Sequence, residues 1–463
     1  MPVAKSTPPD TALTRLLNQG RWAEAIPLLQ GLIQSHPREP TLLNVLGKCL
    51  LNTGQHAPAL AALRRSLAVQ PDTPETLANA ALCAAALRDY QSALGDIARA
   101  VMLAPNELAV RLVQIKVMIA AHRWSSLGPL FTELRSAHPN APGLNELYIA
   151  YLLHTERYTE AEPLIEALVK SRRRADDFNQ LGNVLMNTDR LEEAQAAFRK
   201  GVQQIMRHPT TGASPPKDYM DVSAARTALL ALHQALGALK VPFFLAFGTF
   251  LGIHRDGELL PHDKDMDVGL PWKTPRLPLI EALLHHGFAC PQLDSYRQNE
   301  PLWYATVGHI ATGITIDFFF AKKTDQHIEM GFVKGSQPLT WRFRPFTLVP
   351  LAYAGATFQA PEPAAPHLAE VYGPNWQIPD ANWDSCLLSP NLSPESRPLG
   401  LCFGYNRLLS ALSDQNWKKA HGYCLQLQQI TEDSLINKLR QQLERDYPQA
   451  WFPVPPARAA AKD

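Results

Sequence analysis

Through the first two hundred or so residues, apolar positions follow helical spacing and return in register every 34 residues. Trp22, His56, Tyr90, Trp124 and Tyr158 mark the register. Three positions later stand Ala25, Ala59, Ala93, Leu127 and Ala161, and Pro37, Pro71, Pro105 and Pro139 close successive units. Small residues at fixed places let two helices touch, and a proline cannot continue a helix. A sixth, degenerate unit, LGNVLMNTDRLEEAQAAFRKGV, runs one residue out of phase and keeps Gly182, Ala194 and Phe198. Residues 11–207 therefore read as an all-α solenoid of about six helical pairs.

The period then stops. Residues 208–218 concentrate Pro, Gly, Ser and Thr, the composition of a boundary loop. YMDVSAARTALLALHQALGALK is amphipathic at helical spacing and ends near Lys240, before Pro242. FFLAFGTFLG is a buried apolar run broken by a turn at Gly248-Thr249, and DKDMDVGL and GITIDFFF (313–320) read as strands. RLPLIEALLHHGFAC (276–290) reads as a helix, with His285 and His286 serving its C-terminal end. Beyond Asp317 the chain is strand-like and proline-rich, with a short helix from His367 to Tyr372. The pattern predicts an α+β domain with a mixed sheet over 219–385, helices over 386–450 and a disordered tail over 451–463. NWKKAHGYCLQL carries Trp417 and Ala420 at the same three-residue offset as the repeats, so a final helical hairpin is expected against the second domain.

The chemistry concentrates in PHDKDMDVGL. Side chains alternate along a strand, so Asp265 and Asp267 share one face, roughly 7 Å apart, while Met266 and Val268 take the other. Two carboxylates held that close repel unless a cation sits between them. Asp317 is the one charge in an apolar strand and needs a partner, because burying it alone costs several kcal/mol on the order of a lost ion pair. If its strand lies beside the first, three carboxylates converge on a site for magnesium or manganese. Gly248 and Thr249 would then offer backbone N–H groups and a hydroxyl to a phosphate.

The 34-residue period and its small-residue pattern resemble tetratricopeptide repeats. AFGTFLGIHRDGELLPHDKDMDVGL resembles the signature of the LicD/fukutin family in the nucleotidyltransferase superfamily. Gly248-Thr249, Leu251-Gly252, Arg255, Leu260-Pro261 and the alternating Asp263, Asp265 and Asp267 carry the likeness. Asp317 matches the third acid, and Tyr372, Gly373, Trp376 and Pro379 match the ending. The resemblance runs over about 222–385. It departs at His262 and Lys264, where the family often has a Trp and an unbroken acid run.

This resemblance implies metal held by Asp265, Asp267 and Asp317, with Asp317 either a ligand only or also the acceptor's base. Arg255 and His262 would stabilise the leaving group. A phospho-substituent, phosphocholine or a polyol phosphate, would pass from a CDP-activated donor to a sugar hydroxyl of a glycan or glycoprotein acceptor. Choline would favour an aromatic cage, for which Trp272, Trp303, Tyr304 and Phe318 to Phe320 are candidates, although core packing explains them better. Arg344 is either a phosphate contact or a solvent-facing strand residue. Two other readings stay open: a nucleotidyltransferase moving the nucleotide itself, or a repeat scaffold with an inactive transferase domain.

The repeats would recruit the acceptor or a protein partner, or act as spacer or dimer surface. Tyr151, Asn179 and Asn183 face either the groove or the packing, and SRRR (171–174) reads as a solvated loop. Net charge is +1 over 463 residues, which gives no reason to expect nucleic acid. No uncharged apolar run reaches about 18 residues and the opening residues lack a signal-peptide core, so a location in the cytoplasm or docked at a membrane surface is expected. The six cysteines are scattered without zinc spacing and are expected reduced and mostly buried.

Overall fold

The computed structural model describes residues 9–139, 141, 143–208, 220–300, 302–380 and 382–447. The expected linker, apart from His208, and the expected tail lie outside the described residues. The chain divides into two compact units, Met1–Tyr151 and Leu152–Asp463.

The first unit is a succession of helix pairs. Its pairs are α1 (Pro9–Asn18) with α2 (Trp22–Ser35), α3 (Pro40–Asn52) with α4 (His56–Val69), and α5 (Pro74–Ala86) with α6 (Tyr90–Leu103). After these come α7 (Leu108–Ala120) and α8 (Leu127–Ala137), and α9 (Leu144–His154) crosses into the second unit. Ala25, Ala59, Ala93 and Leu127 are all wholly buried, as close helix contact demands. The residue two before each marker aromatic is left-handed: Gly20, Gly54, Arg88 and His122 here, and Glu156 in the second unit. Tyr151 is buried against Phe131, so it belongs to the packing and not to a groove.

The second unit opens with α10 (Tyr158–Arg172), α11 (Ala175–Asn187) and α12 (Leu191–Arg207). Gly182 marks the crossing of α11 and α12, since a Cβ there would sit 2.3 Å from Phe198. Next are α13 (Val222–Ala238), capped by Asp221 through the Ser223 and Ala224 N–H groups, β1 (Phe244–Leu245) and α14 (Phe247–Asp256). The sheet region continues with β2 (Asp265–Pro271), α15 (Arg276–Leu284), β3 (Phe288–Ala289), α16 (Leu293–Gln298), β4 (Tyr304–His309) and β5 (Thr315–Lys323). It closes with β6 (Ile328–Lys334), β7 (Gln337–Phe343), β8 (Thr347–Tyr353), β9 (Ala356–Glu362) and α17 (Ala364–Tyr372).

Strand order is β1-β2-β5-β4-β3, with β6 on the far end of β5, β7 on β6, and β8–β9 a separate hairpin. The β2–β5 pair is parallel and the other pairs of the main sheet are antiparallel, giving the mixed sheet expected. Two expectations are corrected. The helix from Arg276 stops at Leu284, because left-handed Gly287 turns the chain and Phe288–Ala289 pairs with β4. Gly248-Thr249 is no turn between strands but the first turn of α14.

The sheet has two apolar faces. Met266, Val268, Ile316, Phe318 and Phe320 pack with α13 in one core. Phe319, Met330, Leu339 and Trp341 join the other, together with Phe198 and Val202 of α12 and the C-terminal helices. Those helices are α18 (Ser385–Leu388), α19 (Arg397–Ser413), α20 (Trp417–Leu427) and α21 (Ser434–Asp446). The hairpin α19–α20 is a seventh repeat-like pair. Gln415 is left-handed two residues before Trp417, as Asp189 is before Leu191, and Ala420 is wholly buried like Ala194. It stacks on the sixth pair: Gly201 lets α12 approach Leu409, and Asn406 Nδ2 donates to Asn179 Oδ1 at 2.7 Å. The sheet is thus an insertion between two stacked helix pairs. Asn179 and Asn183 meet this pair and are packing residues.

Candidate active site

Parallel pairing of β2 with β5 sets Asp267 directly across from Asp317. Alternation then brings Asp265 to the same face, and one ligand oxygen from each of the three lies within 4.8 Å of the others. The donor set is oxygen only, which suits a hard divalent cation such as magnesium or manganese. Electrostatics point the same way. Burial, then Asp263, Asp265 and Asp317, push the Asp267 carboxyl well above its ordinary range. Burial and Asp265 push Asp317 up to about 7, and burial and Asp265 push Asp263 to about 6. Four acids in one low-dielectric place, three of them raised in spite of the hydrogen bonds they accept, fit a site built around positive charge.

The acids are held from both sides. Gly248 N donates to Asp267 Oδ2 at 3.0 Å, and Asp267 N donates to Thr249 Oγ1 at 2.7 Å. Thr249 is therefore spent on β2 and buried, and it does not line the cleft as a phosphate contact. Gly248 does line the cleft, yet its N–H already serves Asp267; a Cβ there would fall 2.2 Å from Asp263 Oδ2. Phe247 begins α14 with φ of 38°, a strained value costing on the order of 1–3 kcal/mol. Its ring holds it there, packed 4.7 Å from Phe319 and 5.0 Å from Trp341. On the other flank, the Thr306 hydroxyl lies 2.8 Å from Asp317 Oδ1 and 2.7 Å from the Tyr304 hydroxyl.

These residues form the floor of a cleft of about 1630 Å³, above the few hundred to about 1,000 Å³ of an ordinary small-molecule pocket. Arg255, His262, Tyr372 and Trp376 line it. Arg255 is nearly buried, pairs with Asp256 at 2.7 Å and donates to the Trp376 carbonyl at 3.3 Å, so α14 is tied to the loop after α17. Desolvation and the Arg255 charge keep the His262 imidazole below its ordinary pKa. Arg344 is outside the cleft, largely exposed and paired with Glu370 at 3.0 Å. The aromatic cage does not assemble. Tyr304 and Phe319 line the cleft, whereas Phe318 and Phe320 point into the opposite core. Trp272 and Trp303 pack against each other at a steep tilt away from it, with Lys322 5.6 Å from either ring.

The far wall was not foreseen. Asp384, Arg407, Lys418, Lys419 and Tyr423 come from the C-terminal helices, and Lys334 from the end of β6. The adjacent lysines in NWKKAHGY were the only signal in the sequence; Arg407 carried none.

A cleft floor of alternating acids on a mixed sheet, set beside helix pairs of the 34-residue repeat, is the combination to compare with known proteins. Residues 240–362 match the family described as LicD/FKTN/FKRP, nucleotidyltransferase domain, and 16–82 and 178–204 match tetratricopeptide repeats. The chain thus combines stretches similar to tetratricopeptide repeats with a region similar to the LicD-type nucleotidyltransferase domain. It is similar to "Ribitol-5-phosphate transferase FKTN" of Macaca fascicularis, 27% identical over 206 residues, which are 44% of this chain and 42% of that protein. The Homo sapiens protein of the same name is 26% identical over 172 residues, 37% of each chain. The chain thus spans less than half the length of these curated relatives. Among solved structures, a tetratricopeptide repeat protein from Parabacteroides merdae is 19% identical over 42% of this chain and 77% of its own, with a TM-score of 0.37.

Proposed function

We propose that the Leu152–Asp463 unit is a metal-dependent transferase that moves a polyol phosphate, ribitol 5-phosphate first among candidates, from a CDP-activated donor to a glycan hydroxyl. The observation that carries this reading is the convergence of Asp265, Asp267 and Asp317 on the floor of a cleft wide enough for a nucleotide and an acceptor together. The similarity to proteins named ribitol-5-phosphate transferases supports the donor class. Phosphocholine ranks below it, because the Trp272–Trp303 pair already has the cations of Arg276 and Lys322 against its rings.

Asp265, Asp267 and Asp317 would hold the cation, which when bound supplies charge neutralisation for a phosphoryl group under attack. The chain's own part is positioning. Gly248 and Thr249 fix Asp267 in place, Thr306 fixes Asp317, and Arg255 holds the loop bearing Trp376 over the cleft. The repeats would present the acceptor or a protein bearing it.

The test is nucleotide release by the purified protein with magnesium or manganese, a glycan acceptor extract, and CDP-ribitol, CDP-glycerol or CDP-choline in turn. CMP released with one donor fixes reaction and donor. Pyrophosphate from a nucleoside triphosphate would instead favour nucleotidyl transfer, and no turnover with any of them would favour the scaffold.

A further inference from the structure

Two helices that lie after the matched nucleotidyltransferase region contribute cations to the same cleft as the carboxylates. Arg407 sits on α19, and Lys418 and Lys419 open α20, the two helices of the seventh repeat-like pair. The Arg407 guanidinium is held in place: one nitrogen pairs with buried Asp384, another lies 3.6 Å from Cys386 Sγ, and the whole group stands 5.4 Å over the Phe403 ring. Asp384 is itself fixed, accepting from the Cys386 N–H at 3.0 Å. Lys419 is anchored along the Tyr423 ring, 5.8 Å from its centroid. Both cations are felt across the cleft, Arg407 by the Asp265 carboxyl, and Lys419 by the Asp263 carboxyl and the His262 imidazole.

We infer that Arg407 and Lys419 form a phosphate-binding wall, so that the seventh repeat-like pair completes the donor site by gripping the diphosphate of the nucleotide opposite the carboxylates. The inference rests on the transferase reading above. A sugar or polyol hydroxyl is neutral and has no use for two oriented cations, whereas a diphosphate offers oxygens on two sides. One side faces the acid floor and whatever cation it holds; the other needs donors, and a preorganised guanidinium with a lysine beside it supplies them. The solenoid is then more than a carrier of the catalytic insert, because its seventh pair makes part of the substrate site.

The test is calorimetric binding of CDP, CMP and cytidine to the full chain in magnesium, for the wild type, Lys419→Gln, Lys419→Arg and Arg407→Lys. Lys419→Gln and Arg407→Lys are expected to weaken CDP binding at least about tenfold, the loss of one charge-assisted contact, with less salt dependence and little change for cytidine. Lys419→Arg is expected to restore most of the affinity. Wild-type protein that binds no cytidine nucleotide in magnesium would overturn the transferase reading and this inference with it. Wild-type binding left unchanged in both variants, or CDP and cytidine weakened alike, would overturn this inference and leave the transferase reading standing.

Discussion

Single residues decide whether the acid cluster holds together. Asp267→Asn removes the carboxylate that the other acids surround, and CMP release is expected to fall at least about a thousandfold in the donor assay. The same variant should lose the rise in melting temperature that magnesium or manganese gives the wild type, which calorimetry reads independently of turnover. Thr249→Val keeps the shape but leaves the Asp267 N–H buried without its acceptor, an expected cost of about 1–3 kcal/mol in urea unfolding. His367 provides a pH signature away from the acids. Burial among Phe250, Phe343 and Phe346 lowers its pKa to about 4. A depressed histidine stabilises the fold above the unfolded-state value near 6.5 and loses that stability as pH falls toward 4. His367→Phe is expected to flatten the stability curve across that window by up to about 3 kcal/mol, measured as denaturant midpoint against pH. At this scale the sequence was informative where alternation or isolation exposed a side chain's need, as for Asp265, Asp267 and Asp317. It misjudged Thr249, because a hydroxyl serves a neighbouring strand as readily as a phosphate, and only pairing decides.

Between elements, the close approach of α12 and α19 carries the most consequence. A Cβ at Gly201 would sit 2.5 Å from Leu409 Cδ2 and 3.2 Å from Phe178 Cβ. Gly201→Val is expected to cost about 1–3 kcal/mol by overpacking and to weaken CDP binding, because α19 carries Arg407. Leu409→Ala should relieve part of the loss when combined with it, a coupling that a double-mutant cycle would measure. The six earlier pairs were legible because a fixed period repeats its markers. The seventh was half legible: Trp417 and Ala420 stood at the right offset, but a single unit shows no period. Its partner is the sixth pair, separated from it in the chain by the whole sheet region, and only three-dimensional stacking reveals that. Arg407 was illegible for the same reason, and the paired Lys418 and Lys419 showed a charge but not what it faces.

For the whole molecule, the two apolar faces of the inserted sheet have different owners. One is covered by α13, from the insert itself, and the other by α12 and the C-terminal helices. Truncation after Pro394 is therefore expected to abolish cooperative unfolding of the second unit, because Leu399, Cys402, Leu408 and Leu427 leave the core it shares with Leu339 and Trp341. Removing the residues before Leu144 should leave that transition and its metal response in place, since the core around Leu43, Leu77 and Ala93 belongs to the first unit. Differential scanning calorimetry of the two truncations separates these outcomes. The fold class and the acid floor were thus readable from local pattern, while the cleft's far wall depended on which distant helices dock. The insertion also has a bearing on biosynthesis. A ribosome makes the sixth pair early and its neighbour last, so the apolar side of α12 must wait, uncovered, while the entire sheet is translated. Until α19 arrives, that surface is open to stray chains, and a message cut short before it would yield a sticky product.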